Sequence, residues 1–186
     1  MHDEIRRIGK ARFGPEYWSS LETVLNTYSP QHSRVICSNK EKSIAAFVLV
    51  CAPQFSSLSK YGLEGILPSS FYEIAFVATD EGCEGRGYAR QLLSEVLQCC
   101  QENNQTVWLH VDSINPRAVS LYESLGFRTA LEIPDPFGSE GYVMVCLPVW
   151  RNCKTRERLT LFNAGPCESE QSFCRCILSP PGTTSC

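Results

Sequence analysis

Two stretches of the chain carry residue types at spacings that could do chemistry. The first is Phe71–Arg90. A β-type run, Phe71–Thr79, feeds a glycine-rich turn, Gly82–Gly87, and the turn opens an amphipathic helix. Backbone N–H groups of such a turn point outward together, and the helix N-terminus adds about half a positive charge. Phosphates bind at such places, and Gly85 and Gly87 let them come close to the backbone. The pattern is neither a P-loop, since no Gly-Lys-Ser/Thr follows, nor a full Gly-x-Gly-x-x-Gly dinucleotide fingerprint. The second stretch is Val107–Phe127, which holds His110, Asp112, Asn115 and Tyr122. Asn115 and Tyr122 are about two helical turns apart and share a face. A phenol there can protonate a leaving group. The plainer assignment is packing, because Tyr122 also lies on an apolar stripe with Ala118, Leu121 and Leu125.

Glu73 is the third candidate. Regular strand alternation puts it on one face with Ala75, Val77 and Thr79, in a run otherwise apolar. A lone carboxylate buried there is costly. Glu73 is therefore either a proton acceptor or a solvated strand end paired with a lysine. Asp112 and His110 are alternatives. His110 alternates with Trp108 and fits a hydrogen-bonded core position equally well. Cys83 adjoins the glycine turn, but no base is placed beside it by sequence.

Several elements must position these groups. Asp3–Arg12 is polar and basic and fits a short helix. Pro15 stands where a helix would start, and Trp18, Leu21, Val24, Leu25 and Tyr28 follow at helical spacing up to Pro30. Arg34–Cys37 and Ser43–Cys51 read as a hairpin, and Gln54–Ser70 reads as a loop. After the glycine turn, Ala89, Leu92, Leu93, Val96, Leu97 and Cys100 form one helix face. Thr106–Val111 is a strand. Asn115 caps a helix that Pro116 begins and Gly126 ends. Phe127–Ile133 and Tyr142–Leu147 are strands around the turn-rich Pro134–Gly141. The order predicts one mixed α/β domain over residues 1–150.

The 186 residues suffice for one domain with a real core. Hydrophobic residues make up 43% and charged residues 20%, which excludes a wholly disordered chain, a collagen and a coiled coil. The longest apolar run, Ile44–Ala52, is about half of what a membrane-spanning helix needs. The charged N-terminus lacks the apolar stretch of a secretory signal. A net charge of −3 favours neither nucleic acid nor membrane as a partner. Charge and cysteine usage shift near residue 150, and five of the 11 cysteines fall in 151–186. That tail is rich in Gly, Pro and Ser and is expected to be disordered. Cys153, Cys167, Cys174 and Cys176 do not have paired zinc-ligand spacing, and no metal is expected. An odd cysteine count points to reduced thiols in an intracellular, cytoplasmic or nuclear, protein.

Together, the two stretches resemble the GNAT family of acetyl-CoA-dependent N-acetyltransferases. The family's pyrophosphate motif, Arg/Gln-x-x-Gly-x-Gly/Ala, reads here Glu84-Gly-Arg-Gly87-Tyr-Ala89. Its later motif, Asn-x-x-Ala-x-x-x-Tyr-x-x-x-Gly-Phe, is met from Asn115 through Ala118 and Tyr122 to Gly126-Phe127. The resemblance covers about Phe71–Leu147. It implies a single, mostly antiparallel central sheet flanked by helices, with acetyl-CoA as co-substrate. It implies that Val77, Ala78 and Thr79 run along the pantetheine arm, and that Gly85, Arg86, Gly87, Tyr88, Ala89 and Arg90 hold the pyrophosphate. Asn115 would approach the cofactor, Tyr122 would protonate the departing thiolate, and Glu73 matches the strand base of the histone-acetylating branch. The acceptor would be an amine, of a protein or peptide or else of a polyamine or aminoglycoside. Glu16, Tyr17, Trp18, Asp135, Phe137 and Glu140 are the acidic and aromatic residues expected near it. The chain would be a monomer or homodimer. Two departures favour a rival reading, a catalytically silent CoA-binding member: Glu84 replaces the usual Arg or Gln, and no strand precedes the first helix.

Overall fold

A computed structural model describes residues 1–38, 43–61, 70–134 and 140–148. Helix α1, His2–Arg12, buries Ile5 and Ile8 on one face and carries acids in its first turn and bases in its last, as the helix dipole favours. Pro15 starts a short 3-10 turn, Pro15–Tyr17, and α2 follows as Trp18–Thr27 with Leu21 and Leu25 buried. Strands β1, Arg34–Cys37, and β2, Ile44–Cys51, form the expected hairpin. Within the expected loop, Pro53–Phe55 and Leu58–Tyr61 wind into 3-10 turns.

Strand β3, Phe71–Thr79, leads to α3, Tyr88–Glu102, and then to β4, Thr106–Asp112. Helix α4, Pro116–Ser124, is capped by Asn115, whose side-chain oxygen accepts from the Ala118 N–H at 3.1 Å. Gly126 leaves α4 at φ +96°, in the left-handed region that favours glycine. Strands β5, Arg128–Pro134, and β6, Glu140–Cys146, complete a six-stranded sheet of order β1-β2-β3-β4-β6-β5. Every pairing is antiparallel except β3–β4. A parallel pair needs a long crossover, and α3 supplies it.

All eight residues of β2 are buried, because helices cover both faces of the sheet. On one face Leu92, Leu93, Val96, Leu97 and Cys100 of α3 meet Ala46, Val48, Val50, Ile74 and Leu109 of the strands, and Ala118, Leu121 and Tyr122 of α4 join them. On the other face Ile5, Ile8, Leu21 and Leu25 pack on Phe47, Leu49, Phe76 and Ala78. Each such aliphatic side chain gains about 1.5–3 kcal/mol on full burial. The architecture is the one expected. The tail from residue 151, with its five cysteines and the expected disorder, lies outside the described residues, as do Asp135 and Phe137.

Among the described residues no helix is long and apolar enough to cross a membrane.

Candidate active site

The sheet opens at its centre. The parallel pairing of β3 and β4 covers only Phe71–Glu73 against Thr106–Trp108. Beyond that rung β3 remains bonded to β2 along Ile74–Thr79, while β4 remains bonded to β6. The opening continues into a cleft of about 1060 Å³. All twelve residues expected to serve the site line this one cleft: Glu73, Val77, Ala78, Thr79, Gly85, Arg86, Gly87, Tyr88, Ala89, Arg90, Asn115 and Tyr122.

The β3 backbone is not regular. Phe76 pairs with Leu49 and Ile74 with Val50, so Ala75 is an extra residue opposite that step. A bulge of this kind shifts the alternation by one. Ile74 and Val77 accordingly pack on the α3 side, and Ala75, Phe76 and Ala78 on the α1–α2 side. Glu73, the neighbour of Cys51 across the pair, therefore shares a face with Ala75 but not with Val77 and Thr79. Regular alternation was the wrong premise, since nothing in the residue types marks the bulge.

Glu73 is only 7% exposed. Its carboxylate accepts the Ser57 N–H at 2.6 Å and the Ser57 hydroxyl at 2.6 Å. Those bonds help offset its desolvation. Cys51 lies beside it. Burial, followed by the Glu73 charge, pushes the Cys51 thiol up to about 12 and keeps it protonated. His110, on the same face of β4 as Trp108, also lines the cleft. A Cβ on Gly141 would come within 2.1 Å of His110 Nε2, so the imidazole sits tightly against that glycine. Tyr122 meets Phe127 edge-on at 5.7 Å. Burial raises its phenol to about 12, so at neutral pH it is a proton donor. It packs on the core and also lines the cleft.

At the other end lies the glycine turn. Gly82, Gly85 and Gly87 adopt φ values of +77°, +71° and +80°, and a Cβ on any of them would meet nothing within 4 Å. The glycines are needed for their backbone angles, and the space outside them is open to a ligand. Gly87 is the N-cap of α3 and no side chain caps that helix, which leaves its first N–H groups available to an anion. Arg86 braces the turn by donating to the Gly82 carbonyl at 3.0 Å, and Arg90 donates to the Ser124 hydroxyl at 2.8 Å. These residues fit a pyrophosphate with a long arm running between β3 and β4, as in CoA. Glu84, the departure from the motif, is ion-paired with Arg12 at the end of α1.

Arg12, Cys51, Phe55 and Ser57 line the cleft and were not found from the sequence. They stand far from both motifs along the chain, and no spacing rule links them. Of the acceptor-side residues, Tyr17 lines the cleft, whereas Glu16, Trp18 and Glu140 are not among its walls. Trp18 turns outward, its indole N–H donating to the Phe13 carbonyl at 3.1 Å and its ring lying 5.6 Å from the Lys10 ammonium.

The chain is similar to known acetyltransferases. A ribosomal protein bS18-alanine N-acetyltransferase of Salmonella typhimurium is 33% identical over 78 residues, which are 39% of this chain and 53% of that protein. The chain thus spans about half the length of the curated relatives it matches. Among solved structures, the ribosomal-protein-S18-alanine N-acetyltransferase of Escherichia coli superposes with a TM-score of 0.60 at 18% identity, over 84% of this chain and 93% of that one. The NatC complex bound to Gag peptide and CoA gives 0.62 at 15% identity, over 78% and 89%. At such identities the superpositions establish the fold. The family model for the acetyltransferase (GNAT) family matches residues 3–127, most of the length of the chain, and the chain belongs to that family.

Proposed function

We propose that the chain transfers the acetyl group of acetyl-CoA to a primary amine of a protein or peptide, at an N-terminus or a lysine. The observation that carries this reading is the single cleft that joins the uncapped α3 N-terminus to Glu73, His110 and Tyr122. Two similar proteins support the protein-amine acceptor: one is named for acetylating a ribosomal protein alanine, and the other was solved with a peptide and CoA. Acetyl-CoA supplies the activated thioester.

Gly85, Arg86, Gly87, Tyr88, Ala89 and Arg90 hold the pyrophosphate, through backbone N–H groups and two guanidinium groups. Val77, Ala78 and Thr79 offer backbone to the pantetheine arm on the β3 edge that β4 has left. Asn115 uses its side-chain oxygen to cap α4, and its amide N–H₂ is the group with which it approaches the ligand. Attack requires nucleophile and carbonyl carbon to be held about 3–3.5 Å apart, and such positioning supplies much of the rate.

The amine must be neutral to attack. Glu73 takes its proton, directly or through water, with Ser57 fixing the carboxylate. His110 is the second candidate on the same face. As the C–N bond forms and the C–S bond breaks, Tyr122 Oη gives its proton to the sulfur and is later reprotonated from solvent.

Calorimetry with acetyl-CoA, alongside thiol release over a panel of peptides and small amines, tests the reading. Binding with peptide-dependent CoA release is the expected result. Release with polyamines alone would move the acceptor to small molecules, and binding without release on any amine would favour a silent CoA-binding member.

A further inference from the structure

Glu84 stands at the lip of the phosphate turn, where a carboxylate opposes an anion. It is 45% exposed and paired with Arg12, which is 33% exposed. Exposed pairs of this kind add little to stability, so the fold has no strong need of it. The pair nevertheless lies where charge matters, since both residues line the same cleft as Gly85 and Arg86. Arg12 is also held firmly from behind. Ile5 and Ile8 anchor α1 in the core, and Arg7 clamps Asp80, at the start of the same loop, with bonds of 3.0 and 2.7 Å. Helix α1 therefore delivers a guanidinium to the phosphate turn, and Glu84 keeps it there.

Resting on the acetyl-CoA reading, we propose that Arg12 is a phosphate-binding residue of this cleft, stored on the Glu84 carboxylate and transferred to a phosphate of CoA on binding. A guanidinium forks onto a phosphate as readily as onto a carboxylate, and a phosphate in the turn brings more negative charge than one carboxylate. The exchange costs one solvent-screened pair and leaves Glu84 to water. The residue that departs from the motif is thus a placeholder for the ligand. Glu84 competes with the phosphate for Arg12, so removing its charge strengthens binding.

The test is calorimetric titration of the full chain with CoA and with 3′-dephospho-CoA, for the wild type, Arg12→Ala, Arg12→Lys, Glu84→Gln and the double variant Arg12→Ala/Glu84→Gln. Thermal unfolding checks that each variant is folded. Arg12→Ala should weaken CoA binding by about tenfold, the scale of one charge-assisted contact. Arg12→Lys should recover part of it, Glu84→Gln should bind more tightly than wild type, and the double variant should bind about tenfold more weakly than Glu84→Gln. Equal losses for both ligands assign Arg12 to the pyrophosphate, and a loss confined to CoA assigns it to the 3′-phosphate. A double variant that binds as tightly as Glu84→Gln overturns the proposal, because Arg12 then only neutralises Glu84. Failure of the wild type to bind either ligand would instead sink the acetyl-CoA reading, and this inference with it.

Discussion

Glu73 and Trp108 are partners at the last rung of the β3–β4 ladder, where the parallel strands part. Trp108 is wholly buried and Glu73 nearly so. The only buried carboxylate among the described residues thus sits at the apex of the opening. Ser57, from the 3-10 region after β2, holds it with two hydrogen bonds.

Replacing Glu73 by Gln should lower kcat by about 10²-fold or more, the usual scale for a lost acid–base group, with CoA affinity kept within about twofold. His110→Gln is the control on the same face. Steady-state kinetics of the two variants decide between the proton acceptors, and a larger fall for His110→Gln would reverse the assignment.

Ser57→Ala removes one of the two bonds and should act through Glu73. We expect kcat to fall by about three- to tenfold, with little change in acetyl-CoA binding, because one net hydrogen bond is worth about 1 kcal/mol. An effect that persists undiminished in the Glu73→Gln background would show that Ser57 acts elsewhere.

Tyr122→Phe should retain acetyl-CoA binding and lose about 10²-fold in turnover. The raised phenol also has a stability consequence. The unfolded phenol loses its proton near pH 10 and the folded one near 12, so between those values the folded state holds more protons. Tyr122 therefore contributes stability below pH 10 that is lost as pH rises toward 12. Urea unfolding across that range should show a shallower alkaline decline in Tyr122→Phe.

His32 predicts an acid limb. It is buried, its ring lies 3.9 Å from that of Tyr72, and its Nδ1 is 2.9 Å from the Ser29 hydroxyl. Burial, with the Arg34 charge adding to it, lowers its pKa, and a hydrogen bond with Gln105 partly opposes this. The unfolded ring protonates near pH 6.5 and the folded one only at lower pH, so stability falls as pH drops below that value. Thermal unfolding between pH 7.5 and 5 should show this slope in the wild type and a reduced one in His32→Gln.

Gly141→Ala tests the fit around His110. The new Cβ would collide with Nε2, and the imidazole would have to move. Turnover should fall without a comparable loss of acetyl-CoA affinity, because the phosphate turn lies at the other end of the cleft. Unchanged kinetics would remove His110 from the acceptor site.

The sequence by itself determined the elements and half the site. Asn115-Pro116, the glycine turn and the 3.6-residue stripe of α3 are local signals, written within a turn or two of the chain. They sufficed to place β3, α3, β4 and α4 in order, and with them Gly85–Arg90, Asn115 and Tyr122. What only the tertiary structure decided is how remote segments meet. The Ala75 bulge comes from how β3 pairs with β2, and it turned Glu73 away from the Val77 face. Ser57 reaches Glu73, and Arg12 reaches Glu84, by packing of segments 16 and 72 residues apart in the chain. Such contacts depend on side-chain burial summed over the whole core, which no local spacing records.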